Sequence, residues 1–480
     1  VRNFIDELAY ARFRQLGVFP SEPCSDAEFL RRASLDTLGI LPTAEEARKF
    51  LADPDPQKRA GVIDRLLQHP AYADHWAAKW ADLLRPNPDR VGVKGVFILD
   101  QWIRDSFRQN KPYDQFVREI VTAQGNTHQD GPAVIYRDRR EPAELTTMFS
   151  QLFLGVRLDC AKCHHHPNEK WSQEDFYRMA ASFAPLKQKG GGISTPISGG
   201  NETFFVVAGG SLKHPVTGEV MPPQPPDGPP AAAAGDADPR QALAGWMLDP
   251  ANPFFSRAIS NRIWSHFFSK GIVDPVDDFR LTNPASHPAL LEELTAHFIS
   301  NGMRLKPLLR TIALSRTYQL SSEPTGGNED DVINYSHAQV RRLPAEALLD
   351  ALYRGLSLKL KLKRYPEVER AGGIPGARFI TKVRGQREPA EVFLKEFGKP
   401  PRTTACECER TTDSSLGQVL TLFSSPGIAA MIRDHANRIG MLLEQNRTSS
   451  ECVRDLYQRF LSRLPGVEEE AHLLTLFDSA

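Results

Sequence analysis

The sequence predicts a mainly α protein, with two helical domains joined by a Gly/Pro-rich segment that contains a small β element. Three observations predict this fold class. Apolar residues recur at three- and four-residue spacing from the start to about residue 185. The composition then changes to glycine, proline and small polar residues over 186–240. Helical spacing returns beyond residue 240 and continues to the end of the chain.

The elements follow in that order along the chain. In the first domain, residues 1–185, the clearest helical patterns are "DAEFLRRASLDTLGI" and "PAYADHWAAKWADLLR". The segment 186–240 is predicted to be turn and linker, in which "TFFVVA" can form a short strand. The second domain, residues 241–480, returns to helices, with "PFFSRAISNRIWSHFFSKG" and "SHPALLEELTAHFIS" as clear examples.

A short pattern occurs near both ends of the chain, as "LPTAEEA" at 41–47 and "LPGVEEEA" at 464–471. In each copy the proline starts a turn, and glutamates follow where the first turn of a helix favours negative charge. Both copies therefore predict a helical hairpin. Because they are so far apart in the sequence, we do not expect them to stack on each other.

Composition excludes some classes of protein. The 480 residues are 41% hydrophobic, which is enough for sizeable cores. Lysine plus arginine equals aspartate plus glutamate, at 59 each, so no overall field would attract nucleic acid or an anionic membrane. No apolar run approaches the roughly 18 residues that a membrane-spanning helix needs. We therefore expect neither a nucleic-acid partner nor a membrane span.

The start of the chain, "VRNFIDELAYARF", has the pattern of an amphipathic helix rather than that of a signal peptide. The first residue is Val rather than Met. We therefore expect the chain to be a portion of a longer product, with any export signal outside the residues given.

The stretch "CAKCHHHP", residues 160–167, carries the strongest functional signal. Cys160, Cys163 and His164 form C-x-x-C-H, the spacing that attaches c-type haem. Each thiol adds to one vinyl group of the porphyrin, and the adjacent histidine reaches the iron as proximal ligand. The segment before it would deliver the cysteines at the edge of an apolar core. Its helical face consists of Leu145, Met148, Phe149, Leu152, Phe153 and Val156.

Two other kinds of site remain open for the same cysteines. A structural zinc ion needs a second ligand pair, and Cys406 and Cys408 in "CECER" could join Cys160 and Cys163 to supply it. Zinc accounts for all four cysteines, but it does not require a histidine directly after Cys163. A redox-active thiol pair is the third possibility.

If haem is bound, the residue on the far side of the iron separates an electron carrier from an enzyme. His266 lies on the apolar face of a predicted helix and is a candidate for this sixth ligand. Met221 in "GEVMPP" is another candidate, because a methionine in a loop can reach an iron. His166 is too close to His164 to reach the opposite haem face, so we expect it to hydrogen-bond a propionate, bind another metal or face water.

The acidic stretch "VDPVDDF" places Asp274, Asp277 and Asp278 close together. It lacks the ligand spacing of a calcium-binding loop, so we expect a solvated turn. The sequence has no phosphate-binding glycine loop, no G-x-S-x-G and no H-E-x-x-H. No motif therefore supports the interpretation that the protein is a hydrolase.

The chain resembles a pair of bacterial domains. The first part is similar to the planctomycete-specific cytochrome-like domain two, in the blocks "FLRRASLDTLGILPTAEEARKFL", "YADHWAAKWADLLR", "NKPYDQFVREIVTA" and "LGVRLDCAKCHHHPNEKWSQEDFYRMAASF". The second part resembles the planctomycete-specific domain one, in "NPFFSRAISNRIWSHFFSKGIVDPVDDF", "SHPALLEELTAHFI", "LLRTIALSRTYQLSS", "RRLPAEALLDAL" and "CECERTTDSSLGQVLTLF". The resemblance implies export beyond the cytoplasmic membrane. It also implies a C-H-x-H pattern, which His164 and His166 match.

Together these observations predict an extracytoplasmic c-type haem protein, periplasmic or on the cell surface, that transfers electrons or acts as a haem-dependent oxidoreductase. Its partner would be a redox protein, or a small-molecule or polymer substrate. The alternative is an extracytoplasmic binding or hydrolytic protein that is stabilised by zinc or another metal at a four-cysteine site.

Overall fold

The computed structural model describes residues 3–167, 169–190, 200–230, 238–363, 365–376, 388–403, 410 and 413–478. Helices dominate these ranges and the strands are short, which confirms the prediction of a mainly α fold with a small β element. Within them, no helix combines the length and the apolar character that crossing a membrane requires.

Ten α-helices precede the Gly/Pro-rich segment. They are α1 (Phe4–Leu16), α2 (Asp26–Leu38), α3 (Ala44–Ala52), α4 (Lys58–Gln68), α5 (Ala71–Leu84), α6 (Pro88–Arg108), α7 (Tyr113–Val121), α8 (Ile135–Asp138), α9 (Pro142–Phe149) and α10 (Gln173–Ala181). Between α9 and α10 the chain forms a π-helical turn and then a 3₁₀ turn. Their bounds are Ser150–Leu154 and Asp159–Lys162.

Local sequence signals set the ends of these helices. At the start of α2 the Ser25 side chain accepts a hydrogen bond from the Glu28 amide, and at its end Gly39 adopts the left-handed conformation. Helix α1 has the same two devices, with Asn3 as the N-terminal cap and Gly17 after the last turn. These signals explain why the "DAEFLRRASLDTLGI" pattern ends where it does.

The β element has two parts. Strand β3 (Glu202–Val206) lies at the centre of an antiparallel sheet, between β1 (Gly125–Asn126) and β2 (Leu186–Gly190). The second part is a small hairpin of β4 (Leu212–Lys213) and β5 (Val220–Met221). The predicted "TFFVVA" strand therefore forms, and it pairs with a strand from the first domain.

Eleven further α-helices follow the β element in the described ranges. They are α11 (Pro239–Met247), α12 (Phe255–Phe268), α13 (Pro288–Ser300), α14 (Leu305–Leu314), α15 (Ala345–Gly355), α16 (Pro389–Glu396), α17 (Leu416–Ser424), α18 (Pro426–Arg433), α19 (Arg438–Glu444), α20 (Ser449–Leu461) and α21 (Val467–Asp478).

The main hydrophobic core contains residues from both sides of the Gly/Pro-rich segment, from Ile5 to Tyr335. In it, Tyr113 of α7 stacks on Phe255 of α12, with ring centroids 5.3 Å apart. A second, smaller core is built around α15 and α16, between Ala345 and Phe397. The helices on either side of the Gly/Pro-rich segment thus share one core, and this shared core positions the functional site.

Candidate functional site

The two cysteines of the C-x-x-C-H motif lie on one turn at the surface. The 3₁₀ turn holds Cys160, and the backbone amides of Cys163 and His164 both donate to the Cys160 carbonyl, at 3.2 and 3.3 Å. Both thiols are exposed and neither forms a disulfide bond. A reagent or prosthetic group could therefore reach both thiols from solvent.

The His164 ring is exposed, and one of its nitrogens is already occupied. Its Nδ1 lies 2.6 Å from the His165 carbonyl oxygen. Because a carbonyl oxygen only accepts, Nδ1 must carry the hydrogen, and Nε2 keeps its lone pair. Histidines that bind a metal usually have this arrangement, with the second ring nitrogen donating to a carbonyl or carboxylate. His164 is thus prepared to act as a ligand through Nε2.

The next two histidines face in different directions. His165 is exposed, and its Nδ1 accepts from the Gln173 amide at 3.2 Å, with Glu174 Oε2 at 3.8 Å. His166 is buried, and its backbone amide donates to the Trp171 carbonyl at 2.8 Å. These bonds fold the loop after the motif onto the start of α10.

Helix α10 also holds the peptide between the two cysteines. The Gln173 side-chain amide and the Tyr177 hydroxyl both donate to the Lys162 carbonyl, at 3.1 and 3.2 Å. The helix itself begins with a reciprocal cap between Ser172 and Asp175. The position of the motif therefore depends on the first two turns of α10.

The β4–β5 hairpin packs against the same helix. Met221, a predicted candidate ligand, is buried in β5. The hairpin also brings in His214, whose ring centroid lies 5.4 Å from that of Tyr177 in an edge-to-face arrangement. Met221 and the motif are thus both packed on α10.

His214 was not found by the sequence reasoning. Its Nδ1 accepts from the Val216 and Thr217 amides, at 3.3 and 3.2 Å, so its hydrogen is on Nε2. In the part of the chain that the structure describes, this buried Nε2 has no hydrogen-bond partner. In the sequence, the signal that could have suggested His214 is its position seven residues before Met221.

The acidic stretch "VDPVDDF" does not form the solvated turn that we expected. Asp274 is exposed, but Asp277 and Asp278 are buried. Both pair with Arg157, which lies three residues before Cys160, and the Asp278 pair measures 3.3 Å. The prediction is wrong because a guanidinium from the first domain compensates the buried carboxylates.

The contacts of His266 are with α2 and α5. Its Nε2 lies 2.7 Å from the Asp36 carbonyl oxygen, and its ring packs edge-to-face on Trp76 and close to His75. Burial lowers the pKa of His266 well below its ordinary value, so the ring is neutral. Its role as a sixth ligand stays a prediction, and these contacts favour a structural role.

The second cysteine pair, Cys406 and Cys408, lies outside the described residues. On either side of it, Arg402 and Arg410 both bind Asp82 of α5, with N to O distances of 2.8 and 2.6 Å. Within the described ranges, no group of three or more His, Cys, Asp or Glu side chains is arranged to hold a metal ion.

The fold and site define a mainly α protein with an exposed C-x-x-C-H turn. Helix α10 holds this turn, and Arg157, just before it, pairs with Asp277 and Asp278 from the second half of the chain. Residues 4–188 match the family model PSCyt2, described as a protein of unknown function (DUF1549). Residues 239–477 match PSD1, also described as a protein of unknown function (DUF1553). The chain therefore contains a region similar to PSCyt2, called the PSCyt2 region below, followed by one similar to PSD1, called the PSD1 region. No curated protein and no solved structure matches it.

Proposed function

We propose that this protein is an extracytoplasmic c-type haem protein that transfers electrons or oxidises a substrate. Cys160 and Cys163 would hold the haem through thioether bonds, and His164 would be its proximal ligand. One observation supports the proposal above all others. The C-x-x-C-H turn has two free, exposed thiols next to a histidine whose Nε2 lone pair is available.

The residues present fit this prosthetic group. In thioether formation each S–H adds across a vinyl double bond, so the thiols must be reduced and accessible, as Cys160 and Cys163 are. Once bound, the haem supplies one-electron chemistry at its iron. The protein's part is to fix the turn, and Gln173 and Tyr177 do so through the Lys162 carbonyl.

The name of the PSCyt2 model supports a cytochrome-like role, although its description assigns no function. The extracytoplasmic location is part of the same proposal, and what supports it is the resemblance of the chain to the planctomycete-specific domains, which implies export. The proposed partner is a redox protein, or a small-molecule or polymer substrate.

The test is a denaturing gel stained for haem peroxidase activity, with protein made in a cytochrome-maturing host. We expect a stained band in the wild-type lane and none for the Cys160→Ser/Cys163→Ser variant. His164→Ala should keep the covalent band but change the visible spectrum, because the proximal ligand is lost. His472→Ala is the control, since it removes an exposed histidine ring on α21 and should leave the spectrum unchanged.

An unstained wild-type band from that host would overturn the proposal. If elemental analysis then shows about one zinc per chain, and Cys406→Ser releases it, the four-cysteine zinc site is correct instead.

A further inference from the structure

Helix α17 presents its large apolar residues to solvent and a glutamine to the protein. Leu416 is 74% exposed and Phe423 is 86% exposed. Gln418 is only 7% exposed and is the buried residue of this helix. Helices on the surface of a soluble protein normally have the opposite orientation.

The orientation of α17 is fixed by hydrogen bonds on its inner side. The Gln418 amide donates to the Glu396 carbonyl at 3.1 Å, and its Oε1 accepts from the Arg342 guanidinium. Gly417 faces Glu396 so closely that a Cβ there would lie 2.2 Å from its Oε1. The helix therefore cannot roll to bury its apolar side without breaking these contacts.

The exposed apolar residues form one stripe. Leu416, Val419, Leu420 and Phe423 have the spacing i, i+3, i+4, i+7, which places them on one face of the helix. All four are exposed. This is the spacing of a seam between two packed helices.

The stripe is large for a surface that stays in water. With roughly 200 Å² for a fully exposed large side chain, its four residues together present on the order of 500 Å² of surface. The largest apolar patch of a typical monomer is about 300–600 Å², and a stable interface buries about 800 Å² on each partner. The stripe alone thus supplies more than half of the area that each partner of such an interface buries.

The absence of charge argues for a second copy of this chain as the occupant. No Asp, Glu, Lys or Arg occurs from residue 414 to residue 432, so two copies of this face can meet without repulsion. The formal net charge of the whole chain is also zero. An acidic or basic partner would find no complementary charge here, and a helix that binds anionic lipid would carry Lys or Arg.

We propose that this protein forms a homodimer through α17, in which the stripe of one copy packs antiparallel on the stripe of the other across a two-fold axis. A two-fold axis that crosses the middle of α17 brings the two copies of Leu420 together, and each Phe423 then lies near the start of the partner's helix. The proposal is independent of the haem site.

The test is light scattering coupled to size-exclusion chromatography of the full chain, over a roughly thousandfold range of concentration. The wild-type protein should shift from 53.6 kDa to twice that mass as concentration rises. Leu420→Asp and Phe423→Asp should each stay monomeric, because a charge would be buried in an apolar seam. Phe19→Asp is the matched control, since Phe19 is also a highly exposed phenylalanine, and it should dimerise like the wild type.

Circular dichroism melting curves of all variants establish that they fold, and amide hydrogen exchange gives a second readout. Exchange in 416–424 should slow as the wild-type protein dimerises. A wild-type protein that is monomeric throughout, or dimers that survive both α17 substitutions, would overturn the proposal. So would a monomer that binds neutral phosphatidylcholine vesicles and loses that binding in Phe423→Asp, because the stripe would then be a membrane-surface contact.

Discussion

At the scale of single residues, the partner of one ring nitrogen decides what each histidine can do. His164 uses Nδ1 on the carbonyl of the next residue, which leaves Nε2 free and exposed. His266 uses Nε2 on the carbonyl of Asp36, a residue 230 positions away. The first contact is local and the second is tertiary. A sequence pattern can therefore nominate both rings, but only the fold separates them.

Asp350 is a buried carboxyl group that gives a prediction for pH dependence. It accepts from the Ala371 and Gly372 amides, yet burial outweighs these bonds and raises its pKa to about 6. The unfolded-state pKa of an aspartate is about 4. Between these values the folded state binds more protons than the unfolded state, so this group lowers the free energy of unfolding as pH rises.

Replacing this carboxyl by a neutral amide in Asp350→Asn should remove that dependence. The difference in unfolding free energy between variant and wild type should change by on the order of 2 kcal/mol from pH 4 to pH 6. Chemical denaturation at a series of pH values measures it. Asp330→Asn, at an exposed aspartate, is the control, and a parallel pair of pH profiles for Asp350→Asn and wild type would contradict the prediction.

At the scale of elements, the segment before the motif shows both the strength and the limit of periodicity. The apolar face predicted for it is buried throughout, at Leu145, Met148, Phe149, Leu152, Phe153 and Val156. Its last turn is π-helical rather than α-helical, and Leu154 is buried as well. An ideal 3.6-residue pattern does not anticipate this wider turn, which often occurs near functional sites.

Gly155, directly after that turn, lies in close contact with the second half of the chain. It has a positive φ of 67°, and its carbonyl accepts from the Phe279 amide at 2.9 Å. A Cβ at this position would lie 2.6 Å from Phe279 Cδ2. Gly17 has nearly the same φ, 68°, but no atom within 4 Å of the Cβ site.

Gly155→Ala should therefore cost more than Gly17→Ala. Both variants lose about 1 kcal/mol to the left-handed backbone, and Gly155→Ala should lose roughly 1–3 kcal/mol more because Phe279 must move. Urea denaturation of the two variants measures the difference. Equal losses would show that the contact between Gly155 and Phe279 does not limit packing here.

At the scale of the whole molecule, the two ends of the chain come together. The hairpin of α2 and α3 and the hairpin of α20 and α21 both form as predicted, but α20 packs against α3. Arg48 Nη1 lies 3.1 Å from Gln458 Oε1, and Arg31 donates to the Phe460 carbonyl at 3.1 Å. The two copies thus touch through one helix of each hairpin, and the long separation in sequence does not prevent it, because the entropic cost of closing a long loop grows only slowly with its length.

Arg410 connects the main core to the second core. Its guanidinium binds Asp82 of α5 and Glu346 of α15, at 2.6 and 2.8 Å. Burial opposes ionisation of Glu346, but the charges of Arg410 and Lys399 outweigh it and hold its pKa well below the ordinary value. The PSD1 region is thus attached to the PSCyt2 region through charged as well as apolar contacts.

Arg410→Ala should destabilise the protein by roughly 2–4 kcal/mol, because two buried carboxylates lose their shared partner. Arg447→Ala is the control, since its ion pair with Glu451 is exposed to solvent and should contribute little to stability. Thermal unfolding followed by calorimetry compares them. Similar small shifts in both variants would mean that Arg402 and Lys399 suffice without Arg410.

The sequence by itself determined what local spacing controls. The helical periodicity, the caps of α1 and α2, the β3 strand and the C-x-x-C-H turn depend on residues close together in the chain, and each could be recognised from it. What surrounds the turn was decided by tertiary structure. Two sets of contacts join segments that no local pattern relates. They are the ion pairs of Arg157 with Asp277 and Asp278, and the packing of His214 and Met221 on α10. The free energy that selects such pairs is gained by burying them together, and burial is a property of the whole fold.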